Sequence, residues 1–548
     1  MKTKCFSSPI MLVLLIMSIS TTYSQKLNIT KINLEEKTVT NTNDSGLGSL
    51  REAIYAANHY LHLDRNIIRF KIPKTDPGYD INKGIWTIKP DSSFEYIVDN
   101  GLIIDGFSQS AFIGEDTNPY GPEIVIDGSS AGTYSSCLVT YAEGNEIYGL
   151  TINSFGGVGI LFYNPGFGRV SGCYLGTDYS GMNAAGNKFG IALWYKVQGV
   201  HIGPSEYAYP NIISGNTQTG IFLADSSKYN IIVGNYIGLN RNKNNVISND
   251  LRGIDLERGC EGNEIFDNHI GGNGDGITII RSNDNIIANN FIGSNESLEA
   301  DYGNYTGILL WGNSSNNKII GNTIGHNSGN GVSVDSVNSV RNIISRNSIS
   351  QNDGLGIDNM NGGNMELNPP TITSVSSNII KGTSGANQII EIFADGDDEG
   401  RILIDSVVTD AQGNFVLGVF GLPELPNITA TARDITGNTS EFSVPYVVTN
   451  VEESTFPQKF HLSQNYPNPF NTRTVISWQV GATGQSSVQV DLSIYNVLGQ
   501  KVTTLIAGKQ KAGLHTVEWD ASGFASGVYY YRLVAGEYVA TRKLVFVK

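Results

Sequence analysis

The sequence predicts an all-β chain organised around a solenoid of stacked coils, and three observations carry that prediction. Between Asn145 and Asp358, a Gly-Ile or Gly-Val pair opens a short apolar strand at Gly159, Gly190, Gly220, Gly253, Gly276, Gly307, Gly331 and Gly356. The pattern NxIxxNxI recurs from Asn230, Asn263, Asn285, Asn317 and Asn342, with starts 33, 22, 32 and 25 residues apart. Composition agrees, with 63 glycines, abundant asparagine and many short Ile/Val runs. A basic turn of roughly 22 to 25 residues without helical spacing signals stacked β coils, the longer intervals being insertions.

The 548 residues exceed one ordinary core, so several domains are expected. At the N-terminus, Lys2 and Lys4 precede an apolar run from Ile10 to Ile19 and small residues up to Ser24. That run is too short for a bilayer and reads as a signal peptide, residues 1–24, cut near Ser24-Gln25. No later segment is apolar enough to span a membrane. The formal charge is -15, with 51 acidic and 36 basic side chains. Without a basic patch to displace counterions from phosphates, nucleic acid is not an expected partner. Past the signal, Cys137, Cys173 and Cys260 form an odd, widely spaced set, read as small buried side chains.

Ser49 is placed to cap a short helix, with Glu52 three residues on and an apolar stripe of Leu50, Ala53, Ile54 and Ala57. Such a helix would cover the open end of the solenoid, where strand edges and core are otherwise bare. Gly48-Ser49-Leu50-Arg51-Glu52-Ala53-Ile54 resembles the Ser-Leu-Arg-Glu-Ala motif at the start of many secreted bacterial right-handed β-helix proteins. The resemblance implies a right-handed parallel β-helix, a pectate-lyase-like solenoid, over residues 25–366. Arg51 and Glu52 are expected as exposed helix charges.

In each Gly-Ile strand the second and fourth residues are apolar, as in Ile254 and Leu256 or Ile277 and Ile279. Alternation turns them inward and the intervening side chains outward. The repeated Asn235, Asn268, Asn290, Asn322 and Asn347 suit corners where a side-chain amide bonds its counterpart one coil away.

After Asn368-Pro369-Pro370 the repeat stops. Residues 367–449 alternate in short segments such as QIIEIFA and NITATARD, a β-sandwich pattern, and the run from Ile428 to Ser443 resembles bacterial immunoglobulin-like modules. Asp395, Asp397, Asp398 and Glu399 form an acidic loop that is either solvated or a calcium ligand set, calcium being the cofactor considered. Residues 450–459 read as a linker. Residues 460–548 carry Tyr466-Pro467-Asn468-Pro469-Phe470-Asn471, Ile494-Tyr495-Asn496-Val497-Leu498-Gly499-Gln500 and Ser526-Gly527-Val528-Tyr529-Tyr530-Tyr531. Alternating strands and rigid proline turns make this a small β-sandwich. The combination resembles the type A C-terminal sorting domain of the type IX secretion system of Bacteroidota. That implies the secretion machinery as a partner and passage through the periplasm and outer membrane to the surface or the medium.

The outward column four residues past each strand glycine holds Tyr163, Trp194, Ala224, Glu257, Ile280, Trp311 and Asp335; the next position holds Asn164, Tyr195, Asp225, Arg258, Arg281, Gly312 and Ser336. Tyr163, Trp194, Tyr195 and Trp311 are therefore candidate sugar-stacking rings for an extended polysaccharide. Asp255 and Glu257, two apart on one strand, could serve as acid and base in glycoside cleavage. Arg258 and Arg281 could instead grip a uronate carboxylate beside an abstracted proton. Against both stands a plain surface ion-pair network. Three functions remain open: polysaccharide binding, with adhesion as its use; a polysaccharide lyase or glycoside hydrolase; and a spacer or adhesin without a glycan site. The motifs of pectin-hydrolysing β-helix enzymes are missing, since Gly325-His326 precedes Asn327 and the only Asp-Asp pair lies outside the solenoid. His201, His269 and His326 sit at different offsets in their coils, so no metal site is expected from them.

Overall fold

Each coil of the repeat can pair its backbone only with the coils above and below it. In a computed structural model, the described residues are 34–547 except 60–64, 165, 205–208, 377–378, 420–421, 424, 449–459, 466, 481–486, 498, 512 and 537. The expected signal peptide and the 450–459 linker lie outside them. Two compact units are present, divided between Val448 and Thr449.

In the first unit every regular coil lays down three short strands, giving three sheets of eleven, eleven and nine strands among the described residues. Face one runs from Leu34–Val39 to Ile343–Ser345, face two from Tyr79–Asp80 to Ser348–Ser350, and face three from Leu138–Thr140 to Ile357–Met360. Pairing is parallel except where Tyr79–Asp80 meets Ile85–Ile88. This is the predicted parallel β-helix. Its core is a set of columns: on face three Ile160, Ile191, Ile221, Ile254, Ile277 and Ile308 stack in register, all fully buried. Leu193, Leu223, Leu256, Ile279 and Leu310 form the next column in.

The glycine that opens each face-three strand is explained by close approach of the coils. A Cβ on Gly159, Gly190, Gly220, Gly253, Gly276, Gly307 or Gly331 would lie 2.4–2.8 Å from the carbonyl oxygen of the next glycine in the column. Only the residue without a side chain fits such a stack.

Asparagine holds the corners. Asn230, Asn263, Asn285, Asn317, Asn342 and Asn364 form one ladder, in which each Oδ1 accepts from the backbone N–H and side-chain amide of the preceding member or from its backbone N–H alone. Asn211, Asn235, Asn268, Asn290, Asn322 and Asn347 form a second, the corner ladder the sequence announces. A third was not singled out in the repeat pattern: Asn187, Asn216, Asn249, Asn273, Asn304, Asn327 and Asn352. The spare amide hydrogen donates to a carbonyl of the previous coil, as from Asn290 to Ile265. Hydrogen bonds to all the groups of a buried amide offset the hydration it loses.

Both ends of the solenoid are covered. Helix α1 (Leu50–His59) turns Leu50, Ala53, Ile54 and Ala57 into the common core beside the first strands, with Ser49 Oγ accepting from the Glu52 N–H. Arg51 is not free: it donates to Asp44 and to the carbonyls of Ser92 and Ser93. At the far end an antiparallel two-sheet layer, with strands from Thr371–Ser376 to Tyr446–Val447, closes around Ile380, Ile392, Phe415 and Ile428. It docks on the last coils by continuing their bonding. Glu399 accepts from the side chain and N–H of Asn352, the carbonyl of Thr439 takes the Asn364 amide, and Glu391 accepts from Arg346 N–H. Phe442 packs on the core at Gly356.

This docking engages two carboxylates of the acidic loop that the sequence leaves as either solvated or a calcium ligand set. Asp395 is fully buried, with its oxygens taken by the backbone N–H groups of Asp397 and Arg401, and Glu399 is committed to Asn352. No group of three His, Cys, Asp or Glu side chains is placed to hold a metal among the described residues.

The second unit is two antiparallel sheets packed around Trp478, Leu492, Tyr531 and Phe546. Its longest strands are Lys501–Gln510, Gly527–Ala535 and Tyr538–Phe546.

Replacing Asn290 by Ala should leave the Asn268 N–H unpaired in the interior and strip the Ile265 carbonyl and the Asn322 Oδ1 of their side-chain donor. The expected loss is about 2–4 kcal/mol, read as a lowered urea midpoint; a change within experimental error would mean that the ladder does not carry the corner.

Candidate functional site

Face three is the face whose outer columns carry chemistry. Tyr163, Trp194, Ala224, Glu257, Ile280, Trp311, Asp335 and Met360 share one column, and Leu161, Ala192, Phe222, Asp255, Thr278, Leu309, Ser333 and Asp358 share the column two residues before it. At the following corner Asn164, Tyr195, Asp225, Arg258, Arg281 and Ser336 all take the left-handed conformation, with φ between 50° and 100°. That turn aims their side chains back along the sheet edge, next to the first column.

The N-terminal end of the face is aromatic. Ring centroids run Tyr96 to Tyr141 at 5.2 Å, Tyr141 to Tyr163 at 5.0 Å and Tyr163 to Tyr195 at 5.7 Å. Trp194, Tyr195 and Trp311 are 38, 42 and 46% exposed, whereas Tyr163 is half-buried between its two tyrosine neighbours. Trp194 does not swing freely: its Nε1 donates to Asp225 Oδ2 at 2.5 Å and its ring meets Phe222 edge-on at 6.2 Å. Lys196 Nζ lies 5.1 Å from the Tyr195 ring centroid. Trp311 stands four coils beyond Trp194, roughly 19 Å along the axis.

Between the two tryptophans lies a connected run of charges. Arg258 Nε donates to Asp225 Oδ1 at 2.6 Å, and its Nη1 to Glu257 Oε2. Arg252 Nη1 donates to Asp255 Oδ2 at 2.5 Å and to Glu257 Oε1 at 3.2 Å, and its Nε lies 4.0 Å from Asp275 Oδ2. The pairing with Arg258 holds the Asp225 carboxyl below the usual carboxylate range. Asp255 behaves oppositely. Its side chain is 3% exposed, its Oδ1 is buried without a hydrogen-bond partner among the described residues, and burial pushes its carboxyl up to about 7 in spite of Arg252.

Of the four charged candidates, the structure joins Asp255, Glu257 and Arg258 in one network and leaves Arg281 outside it. Arg281 is exposed and makes no ion pair among the described residues. Arg258 already serves two carboxylates, whereas Arg281, its neighbour one coil on, does not. Sequence reasoning passed over Arg252, the hub of the network, and Asp225, the link to Trp194. Both lie in the columns the repeat defines, Arg252 one residue before the strand glycine and Asp225 at the corner.

Several stretches of the chain match known families. Residues 464–548 match the model of a secretion system C-terminal sorting domain, residues 242–392 that of a right-handed β-helix region, and residues 138–306 that of the periplasmic copper-binding protein NosD. No curated protein matches. Among solved structures, the periplasmic alginate epimerase AlgG is 15% identical with a TM-score of 0.31, over 60% of this chain and 84% of that one. Tailspike protein 2 of bacteriophage CBA120 is 9% identical with a TM-score of 0.24, over 92% and 76% of the two chains. PfbA, a surface adhesin of Streptococcus pneumoniae, is 10% identical with a TM-score of 0.23, over 64% and 98%.

The sorting domain marks the protein for type IX secretion to the cell surface or the medium, and no helix among the described residues is long and apolar enough to cross a membrane. The residues present do not fit copper. Cys173 and Cys260 are buried thiols pushed up to about 12, His201 lies half-buried on face one, and His269 on face two stacks on Phe291.

Asp255 binds its proton more tightly in the folded state than in the unfolded chain, so its contribution to stability is present at acid pH and lost as pH rises from about 4 through about 7. The melting temperature of the wild type relative to Asp255→Asn should therefore fall across that window. A constant difference would show that Asp255 ionises normally beside Arg252.

Proposed function

We propose that face three binds an extended extracellular polysaccharide. The observation that carries this reading is the band of partly exposed rings, Tyr96, Tyr141, Tyr163, Tyr195 and Trp194, lined up along the coil axis with Trp311 further along the same face. Exposed aromatic faces stack on the apolar faces of sugar rings, and neighbouring charged groups bond hydroxyls. A solenoid offers such rings at a repeat of about 4.8 Å, which suits a polymer rather than a small molecule. Trp194 is fixed by Asp225 and Phe222 before any ligand arrives, so little ordering cost opposes binding. Adhesion through such a glycan is the use a secreted or surface-held chain would make of it.

A second reading rests on one different observation. The unpartnered Oδ1 of Asp255, on a carboxyl that titrates near neutrality, is the kind of group that can take or give a proton beside a bound sugar. In that reading Asp255 and Glu257 are the acid–base pair of a lyase or hydrolase, and Arg281 is the guanidinium left to hold a uronate; Arg258 positions Glu257.

The test is retention on a panel of polysaccharides in affinity electrophoresis, with released unsaturated or reducing ends assayed in parallel. Trp194→Ala with Trp311→Ala should weaken retention about tenfold or more, and retention unchanged by the pair would overturn the aromatic site. Product released by the wild type and lost in Asp255→Asn, with retention intact, would establish the catalytic reading.

A further inference from the structure

Face one carries a feature that glycan binding on face three does not use. From the coil of Ile231 to that of Ile343, its outer side is a strip of two largely apolar columns, Ile231, Ile286 and Ile343 in one and Val233, Phe266, Ala288 and Ile320 in the other, which ends at Ser345. The apolar side chains are half-buried, and at the last coil the docked antiparallel layer meets the strip, with the Gly437 turn beside Ile343 and Glu391 accepting from Ser345.

Two charges interrupt the first column, and they do so symmetrically. In sequence the column reads Ile231, Glu264, Ile286, Lys318, Ile343. Glu264 and Lys318 lie one coil to either side of Ile286, about 10 Å apart, and neither makes an ion pair or side-chain hydrogen bond among the described residues. Burial alone raises the Glu264 carboxyl above its ordinary value.

We propose that this strip is a homodimer interface, in which two copies pack face to face about a two-fold axis running along the strand Ile286–Ala288. Such an axis keeps each column over itself and reverses the order of coils. Glu264 then meets Lys318 of the second copy, and Lys318 its Glu264. Phe266 meets Ile320, and Ile286 and Ala288 meet their own counterparts. The alternative axis, along the solenoid, would set Glu264 against Phe266 and leave four charges unpaired in an apolar contact, which is costly. An isologous surface has to be self-complementary in this sense. The apolar residues of the three central coils and the placement of the two charges meet that condition, which is why a second copy of the chain, rather than an unrelated protein, is the occupant.

The experiment is sedimentation velocity of the full chain across a concentration series, with charge reversals. The wild type should dimerise. Glu264→Lys or Lys318→Glu alone places like charges together twice and should weaken the dimer about tenfold or more, and the double reversal should restore it, all four proteins melting alike. For a reading independent of the charges, Ile286→Cys should link two chains through a short bifunctional maleimide, because that residue lies on the axis. A wild-type monomer at every concentration would overturn the proposal. So would a dimer indifferent to both single reversals, or failure of both the double reversal and the maleimide link.

Discussion

A buried asparagine brings two donor hydrogens and an acceptor oxygen that all require partners, and the solenoid rests on how that requirement is met. Each Asn at a corner takes the backbone N–H of the coil before it and hands its own amide to the Asn of the coil after it. The arrangement works only if every coil places an Asn at the same height and angle, so one side chain fixes the register of the whole stack. Three such ladders run along the solenoid, and with the glycine column they leave little freedom in how coils superpose. The ladders also set the ends, since the last members need acceptors and find them in Glu399 and the Thr439 carbonyl. The antiparallel layer is thus bonded into the solenoid as its closing piece, and Asp395 and Glu399 of the acidic loop are engaged at that closure.

With the interior so determined, the outward columns are free to differ from coil to coil. Face three uses that freedom to grade from aromatic rings, through a charged network centred on Arg252, to Trp311. Face one uses it for apolar rows broken at two places. The rigidity matters to function, because a ring held by a neighbouring coil, as Trp194 is by Asp225, is already in place for a ligand.

Much of this was legible in the residues. The Gly-Ile and NxIxxNxI patterns announced the coils, the inner columns and two of the Asn ladders, because those features repeat in sequence as they do in space. The outer columns of face three could be written down from the same register. What the register could not give is contact across corners. Asp225 bonding Trp194, or Arg252 reaching Asp255 and Glu257, depends on left-handed turns and side-chain directions that carry no periodic signal. Burial escaped it too: Asp255 is outward by alternation and yet covered, because the Arg252 guanidinium and the flanking columns close over it. Arg258 and Arg281 look equivalent in the pattern and differ only in the neighbours they meet. The third Asn ladder was hidden because insertions of variable length precede Asn187, Asn249 and Asn304.

The claim that face three holds a polysaccharide has a direct optical test, because the chain has five tryptophans and they fall into two classes. Trp86, Trp478 and Trp519 are at most 3% exposed, while Trp194 and Trp311 are 38 and 46% exposed. Quenching of tryptophan emission by acrylamide therefore reports mainly on the two residues of the face. A polysaccharide that is retained by the protein should shield that quenchable fraction as it saturates the site. Saturating polysaccharide that leaves the quenching unchanged would place the glycan elsewhere on the molecule and contradict the account.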